Sequence, residues 1–188
     1  MEFPLSVQFI ERARAIKAYG VIRPMVKVDL AWWLRWQHAA SDEDRSWNWN
    51  AIYQECAGSP NRYECYAAFA ANELQGLIVL NLNRKQTEHG AAISVDYLAT
   101  NPANRVSHGG LKFVGLALIA VAVIRSREIG AGGQLWLEVL ESACGFYEHL
   151  QMRRMPGRSA DGYPIYVITT DISQRLLDEM RKRSILEI

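Results

Sequence analysis

Lys112-Phe-Val-Gly115-Leu-Ala117 stands at the head of the most apolar run in the chain, Lys112 to Ile124, directly behind the polar, glycine-containing loop "ATNPANRVSHGG". A glycine-containing loop that feeds a helix beginning with small residues leaves unpaired backbone N–H groups at the helix N-terminus, a ready site for an anion and for phosphate above all. Gly115 and Ala117 would let such an anion approach closely, and Lys112 adds a positive charge. The same Gly-x-Ala pair also serves plain helix packing, so the motif taken alone supports both readings. Cys144 and His149 lie on one expected helix without an Asp or Asn to orient the imidazole, which makes Cys144 a small core residue rather than a nucleophile. His38, His89 and His108 fall on separate segments without metal-ligand spacing, so no metal is implied. Five of the six tryptophans fall between Trp32 and Trp49. Trp32 and Trp36 share a helix face with Trp33 beside them, the pattern of a face packed on a sheet. Trp47 and Trp49 alternate with asparagines, as suits a pocket with an apolar wall and polar handles.

The elements that must hold these residues can be read from periodicity and punctuation. "SVQFIERARAIKAYG" predicts a first helix closed by Gly20, and "VIRPMVKVD" a short strand interrupted by Pro24. "LAWWLRWQHA" and "SWNWNAIYQEC" predict two short helices split by the acidic turn Asp42 to Asp44. "YECYAAFA" and "LIVLNLN" predict a hairpin about the turn "ANELQG", and "AAISVDYLAT" a third strand, which together make an antiparallel meander. The apolar run is too long for a typical strand and predicts a buried helix ended by Gly130. "GQLWLEVL" predicts a strand, "ESACGFYEHLQM" a helix, "GYPIYVITT" a strand and "DISQRLLDEMRKR" a final helix capped by Asp171. The order implies an α/β (α+β) fold with one mixed sheet.

Totals narrow the function classes. The 188 residues are about one domain by length, with a helical region at 1–60, a core at 61–170 and a C-terminal helix at 171–188. A hydrophobic fraction of 49% and a charged fraction of 22% are those of an ordinary globular protein. A formal net charge of +1 gives no global field for nucleic acid or an anionic membrane, so neither is expected as a partner. Cys56, Cys65 and Cys144 form no Cys-x-x-Cys pair and no disulfide framework, and "MEFPLSVQFIERARA" is not a signal peptide. Both point to a reduced, cytoplasmic setting. The apolar run is shorter than a spanning helix and is followed at once by Arg125 and Arg127.

"DYLATNPANR", "KFVGLALI", "QLWLEV" and "ACGFYEHLQM", in that order, resemble the GNAT superfamily of acyl-CoA-dependent N-acyltransferases, over about Tyr63 to Thr170. The family signature Arg/Gln-x-x-Gly-x-Gly/Ala is matched by Lys112-x-x-Gly115-x-Ala117 with Lys in place of Arg or Gln. Its Tyr helix, followed by Leu-Gly-Phe/Met, is matched by Tyr147 to Met152 with Gln151 in place of Gly. Pro102 stands further from Lys112 than in the commonest family pattern, so "NRVSHGG" is an insertion of the kind found in a longer-loop branch. Leu140 replaces the Asn that often precedes the Tyr helix.

The resemblance implies a GNAT-like fold with splayed central strands and an acyl-CoA, most simply acetyl-CoA, as cosubstrate. It places Leu98, Ala99 and Thr100 along the pantetheine and Lys112, Phe113, Val114, Gly115, Leu116, Ala117 and Leu118 around the pyrophosphate, with Arg105 as a phosphate partner or a plain loop charge. It implies Tyr147 as the acid for the departing thiolate and Asp96 as the nearest carboxylate to the reacting centre, with Glu138 second. Strand alternation predicts Ser94, Asp96 and Leu98 on one face and Val95, Tyr97 and Ala99 on the other. Trp32, Trp33, Trp36, Trp47 and Trp49 would border the acceptor groove. The implied reaction is direct acyl transfer to a primary amine of a small molecule, peptide or protein. A long-chain acyl donor, or a CoA- or partner-binding module without catalysis, is the alternative. A homodimer is compatible with the sequence.

Overall fold

The computed structural model describes residues 1–88, 90–105 and 108–186. The first segment is the main departure from expectation. Leu5–Glu11 (β1) and Ile16–Pro24 (β2) form an antiparallel hairpin, where the sequence predicts a helix. Leu5, Val7 and Phe9 are buried with a period of two, and that alternation outweighs the helical propensity of "ERARAIKA" once partner strands exist. Gly20 does not cap a helix. It sits in mid-strand because a Cβ there would meet the Phe69 carbonyl at 2.3 Å and the Phe9 ring at 2.6 Å.

Only one turn of helix, Leu30–Trp33 (α1), and Trp49–Gly58 (α2) represent the two tryptophan helices. Asn48 caps α2 by accepting from the Ala51 N–H at 3.1 Å. The meander then runs through Tyr63–Ala70 (β3), Glu73–Thr87 (β4) and Gly90–Thr100 (β5). Its first turn is tighter than predicted, because Ala71 and Asn72 both take left-handed conformations, at φ 51 and 61°. Gly76 therefore lies inside β4, where a Cβ would strike Leu118 and Val114 at 2.8 and 2.9 Å.

Leu111–Lys112 (β6) pairs with β1, and Phe113, at φ 73°, turns the chain into Val114–Glu128 (α3). This is the expected apolar helix, buried on nearly every side. Leu135–Glu138 (β7), Cys144–His149 (α4), Pro164–Ile168 (β9) and Thr170–Lys182 (α5) match the predicted order. Arg153–Arg158 (β8) is an additional edge strand, and its exposed "RRMPGR" carries no alternation to announce it. Thr169 caps α5, with Asp171 inside the first turn.

The nine strands form one mixed sheet in the order β6-β1-β2-β3-β4-β5-β7-β9-β8. Helix α3, with α5 beside it, covers one face. The tryptophan-rich segment and α2 cover the other. Strands β5 and β7 are parallel and pair only at Ile93↔Leu135, Ser94↔Trp136 and Val95↔Leu137, then part. At the point of parting the β4–β5 register slips, with Leu80 opposite Val95 and Val79 opposite Tyr97. Asp96 is thus a bulge residue, and the simple alternation predicted for β5 fails there. Val95 and Leu98 face α3, whereas Tyr97 and Ala99 face the tryptophans.

Candidate active site

Two cavities meet where β5 and β7 separate. The larger, about 1370 Å³, lies over the α3 N-terminus, and the smaller, about 430 Å³, opens on the tryptophan side. Leu98, Leu140, Ala143 and Tyr147 line both, and we call this shared boundary the throat.

The larger cavity contains most of the predicted cofactor residues: Leu98, Ala99, Thr100, Arg105, Lys112, Phe113, Val114, Gly115 and Leu116. With no β7 partner beyond Val95, the β7-facing edge of Leu98 to Thr100 is open to pair with an extended ligand arm. The first intrahelical bond at this end runs from the Ala117 N–H to the Phe113 carbonyl at 2.8 Å. The N–H groups of Val114, Gly115 and Leu116 accordingly have no partner inside the helix. Ala117 and Leu118 do not reach the cavity: both are fully buried, turned toward the sheet by the helical repeat. Gly115 lines the cavity and has a packing part besides. The place of its missing Cβ lies 3.3 Å from the Phe146 ring, so it seats that ring against the helix as well as baring its own N–H.

Arg105 is engaged by protein carboxylates. It forms ion pairs with Asp42 and, at 2.8 Å, with Asp44, which fixes the 38–46 segment at the cavity rim. Glu43 accepts from the backbone and hydroxyl of Ser142 on the opposite rim. His38, Asp42 and Asp44 bring ligand atoms within 4.8 Å of one another, a cluster the sequence spacing did not suggest. The Arg105 guanidinium already supplies the cation those carboxylates face. Burial lowers the His38 pKa and raises that of Asp44. His89, and the Val106–Ser107 part of the inserted loop, lie outside the described residues.

Several cavity residues escaped the sequence reading. Arg12, Arg175 and Arg183 line the wall, Arg183 paired with Glu179 at 2.7 Å, and the buried Nε of Arg12 has no hydrogen-bond partner among the described residues; His149, which the sequence set only beside Cys144, lines it too. Cationic groups, an orphaned guanidinium nitrogen and three free helix-end N–H groups fit a polyanionic ligand with a phosphate at α3. Gln151, standing where the family resemblance expects Gly, adopts φ 57° and accepts from Arg175 at 3.0 Å. Arg12 and Arg183 lie outside the stretch that carries the resemblance, and no sequence signal marked them.

Tyr147 is buried, with its ring edge-on to Phe146 at 5.0 Å between centroids and tilted against Tyr166 at 5.9 Å. Burial, with a smaller contribution from Cys144, raises its hydroxyl pKa, so the phenol keeps its proton at neutral pH. Asp96 and Glu138 both line the smaller cavity. Asp96 is exposed and accepts from Asn81 Nδ2 at 3.1 Å, while Glu138 pairs with Lys85 at 3.6 Å.

Of the five tryptophans between Trp32 and Trp49, Trp47 lines the smaller cavity, edge-on to Tyr97 at 5.1 Å; the sixth, Trp136 on β7, lines it as well. Trp49 is 1% exposed, a core residue behind that wall. Trp36 is buried and donates to the Leu74 carbonyl at 3.2 Å, and Trp32 and Trp33 pack around the same cluster. The expected acceptor-side role for Trp32, Trp33, Trp36 and Trp49 therefore gives way to packing. α1 is a single turn, and its tryptophans are partly buried against the cluster on that face of the sheet.

Solved structures resemble this one with near-complete coverage of their own chains. The apo form of FdhC, described as a nucleotide-linked sugar GNAT, superposes with a TM-score of 0.62 at 11% identity, over 100% of both chains. A mutant AtaT toxin bound to the C-terminus of the antitoxin AtaR and acetyl-CoA gives 0.59 at 14% identity, covering 85% of this chain and 98% of the other. A structure from Desulfovibrio desulfuricans described as a GNAT-family acetyltransferase gives 0.56 at 17% identity, over 80% and 99%. No protein-family model matches the sequence, and no curated protein does. The fold is that of the GNAT acetyltransferases, as the ordered motifs implied. Among the described residues no helix is long and apolar enough to cross a membrane.

Proposed function

We propose that the chain is an acyl-CoA-dependent N-acyltransferase, with acetyl-CoA the simplest donor, acting on a primary amine by direct transfer. The observation that carries this reading is the throat. A cavity suited to a polyanion with an extended arm adjoins, at Leu98, Leu140, Ala143 and Tyr147, a second cavity lined by carboxylates.

The donor lies with a phosphate on the α3 N-terminus and its arm along the open edge of β5. The acceptor enters from the Trp47 side. Its nitrogen loses a proton to water or to Asp96, then attacks the thioester carbonyl carbon. The C–S bond breaks and Tyr147 gives its proton to the departing sulfur; the newly bonded nitrogen then gives up its extra proton, which restores the Tyr147 phenol directly or through water, and the products are an amide and free CoA thiol. Glu138 is the second candidate base, although its ion pair with Lys85 makes it the weaker one. The apolar throat, Leu98, Leu140 and Ala143, suits a short acyl group better than a long chain.

Incubation with acetyl-CoA and a panel of primary amines tests the reading, with thiol release and the mass of the acylated amine as readouts. Amine-dependent thiol release with a matching product is the expected result. CoA binding without release on any amine would favour a binding module and overturn the enzyme assignment.

A further inference from the structure

The smaller cavity has a charge imbalance. Glu55 from α2, Asp96 from β5, Glu138 from β7 and Asp161 from the β8–β9 turn all line it, against Lys85 alone. Lys85 shows what this surface holds. Its ammonium lies 3.6 Å from Glu138 and 5.1 Å from the centre of the Trp136 ring, a carboxylate and an aromatic face on one alkylammonium. Glu55, Asp96 and Asp161 form no ion pair among the described residues. Ser94 also lines the cavity at 3% exposure, and its Oγ is buried with no hydrogen-bond partner among the described residues, which leaves an acceptor ready for an N–H donor. Trp47, Tyr63, Tyr97 and Tyr163 supply apolar walls.

We infer that the acceptor is a small aliphatic amine carrying a second cationic centre: one nitrogen at the throat, the other held among Glu55, Asp161 and the aromatic walls. This rests on the acyltransfer reading for the identity of the site and adds the class of molecule that fills it. An ammonium with an alkyl spacer matches carboxylates spread over four elements better than a single charge does. A volume of about 430 Å³ suits a small molecule. An acidic amino acid, or an amine carried on a polyanion, meets like charge at the same surface.

Calorimetric titration of the CoA-saturated protein with putrescine, n-butylamine and glutamate tests this directly, because it reads binding and not turnover. Putrescine should bind about tenfold or more tighter than n-butylamine at low ionic strength, with glutamate silent. The preference should collapse in Glu55→Gln/Asp161→Asn. Lys85→Met should tighten putrescine binding by freeing Glu138 and Trp136, a gain that misfolding cannot produce. Equal affinities for the two amines in the parent protein, or an undiminished preference in the double variant, would overturn the inference. Thiol release followed with the same amines separates the two ideas. Selective putrescine binding without release sinks acyl transfer alone, whereas release with no diamine preference in binding sinks the diamine class alone.

Discussion

Replacing Tyr147 by Phe removes one oxygen from the throat and little else. The ring keeps its contacts with Phe146 and Tyr166, and no cavity larger than a hydroxyl opens, so the cost in stability is about 1 kcal/mol. For a chain of this length that is a fall in Tm of about 2–4 °C. The larger cavity keeps its helix end and cations, so affinity for acyl-CoA should stay within a few-fold. Turnover should not. A positioned general acid is worth about 10²- to 10⁴-fold, or about 3–5 kcal/mol of barrier, far more than the loss in stability. Because burial raises the hydroxyl pKa above the ordinary phenol value, the proton stays on across the neutral range, and the parent's rate should show no alkaline fall from this group there. Single-turnover thiol release at saturating acetyl-CoA and amine, with a thermal melt and a CoA titration on both proteins, measures all three quantities. Turnover within a few-fold of the parent, with binding intact, would show that Tyr147 is a core aromatic and that another group or water protonates the sulfur.

Gly115→Glu should abolish CoA binding in a calorimetric titration, since it sets a carboxylate beside the α3 N-terminus. Gly115→Ala, whose Cβ needs Phe146 to give only a few tenths of an ångström, should bind within a few-fold of the parent. Gln151→Gly should raise Tm by a few degrees, because the left-handed backbone at φ 57° costs a non-glycine residue about 1 kcal/mol and the side chain is exposed. An unchanged or lower melting point would refute strain there. Arg105→Ala should weaken CoA binding by baring Asp42 and Asp44 beside a polyanion site, and adding Asp42→Asn and Asp44→Asn should restore it. Failure of that rescue would return Arg105 to direct phosphate contact.

The sequence carried the core of the fold, and its failures have definite causes. Strands β3, β4, β5, β7 and β9 and helices α3 and α5 were legible because each buries one face, or all of itself, with a period that local reading detects. The β1–β2 hairpin was not, since residues 11–18 are good helix formers and the evidence for strands lies in partners far along the chain. Strand β8 is an exposed edge whose pairing is decided by β9. For the candidate site, ordered motifs pointed to the α3 N-terminus and Tyr147, which line one cavity. Burial then reassigned what spacing alone could not. Ala117 and Leu118 turn inward, Trp49 lies behind the wall that Trp47 forms, and Arg105 answers carboxylates more than 60 positions away. Arg12 and Arg183 come from opposite ends of the chain, a proximity that only the assembled sheet creates.

The bulge at Asp96 ties these outcomes together. With simple alternation through β5, Leu98 would share a face with Ser94, as the sequence suggests. One extra residue opposite Leu80 turns Tyr97 and Ala99 toward the tryptophan side and Leu98 toward α3. It sits one position past the last β5–β7 pair, so the change of face and the end of pairing fall together. The same slip puts Leu98 in the wall of both cavities and leaves Asp96 exposed in the smaller one, its carboxylate held by Asn81. A β5–β7 ladder continued past Leu137 would occupy the backbone edge that Leu98 to Thr100 leave open for the proposed acyl donor. The local irregularity in the strand, more than any single side chain, is what makes a continuous sheet into a site with two mouths.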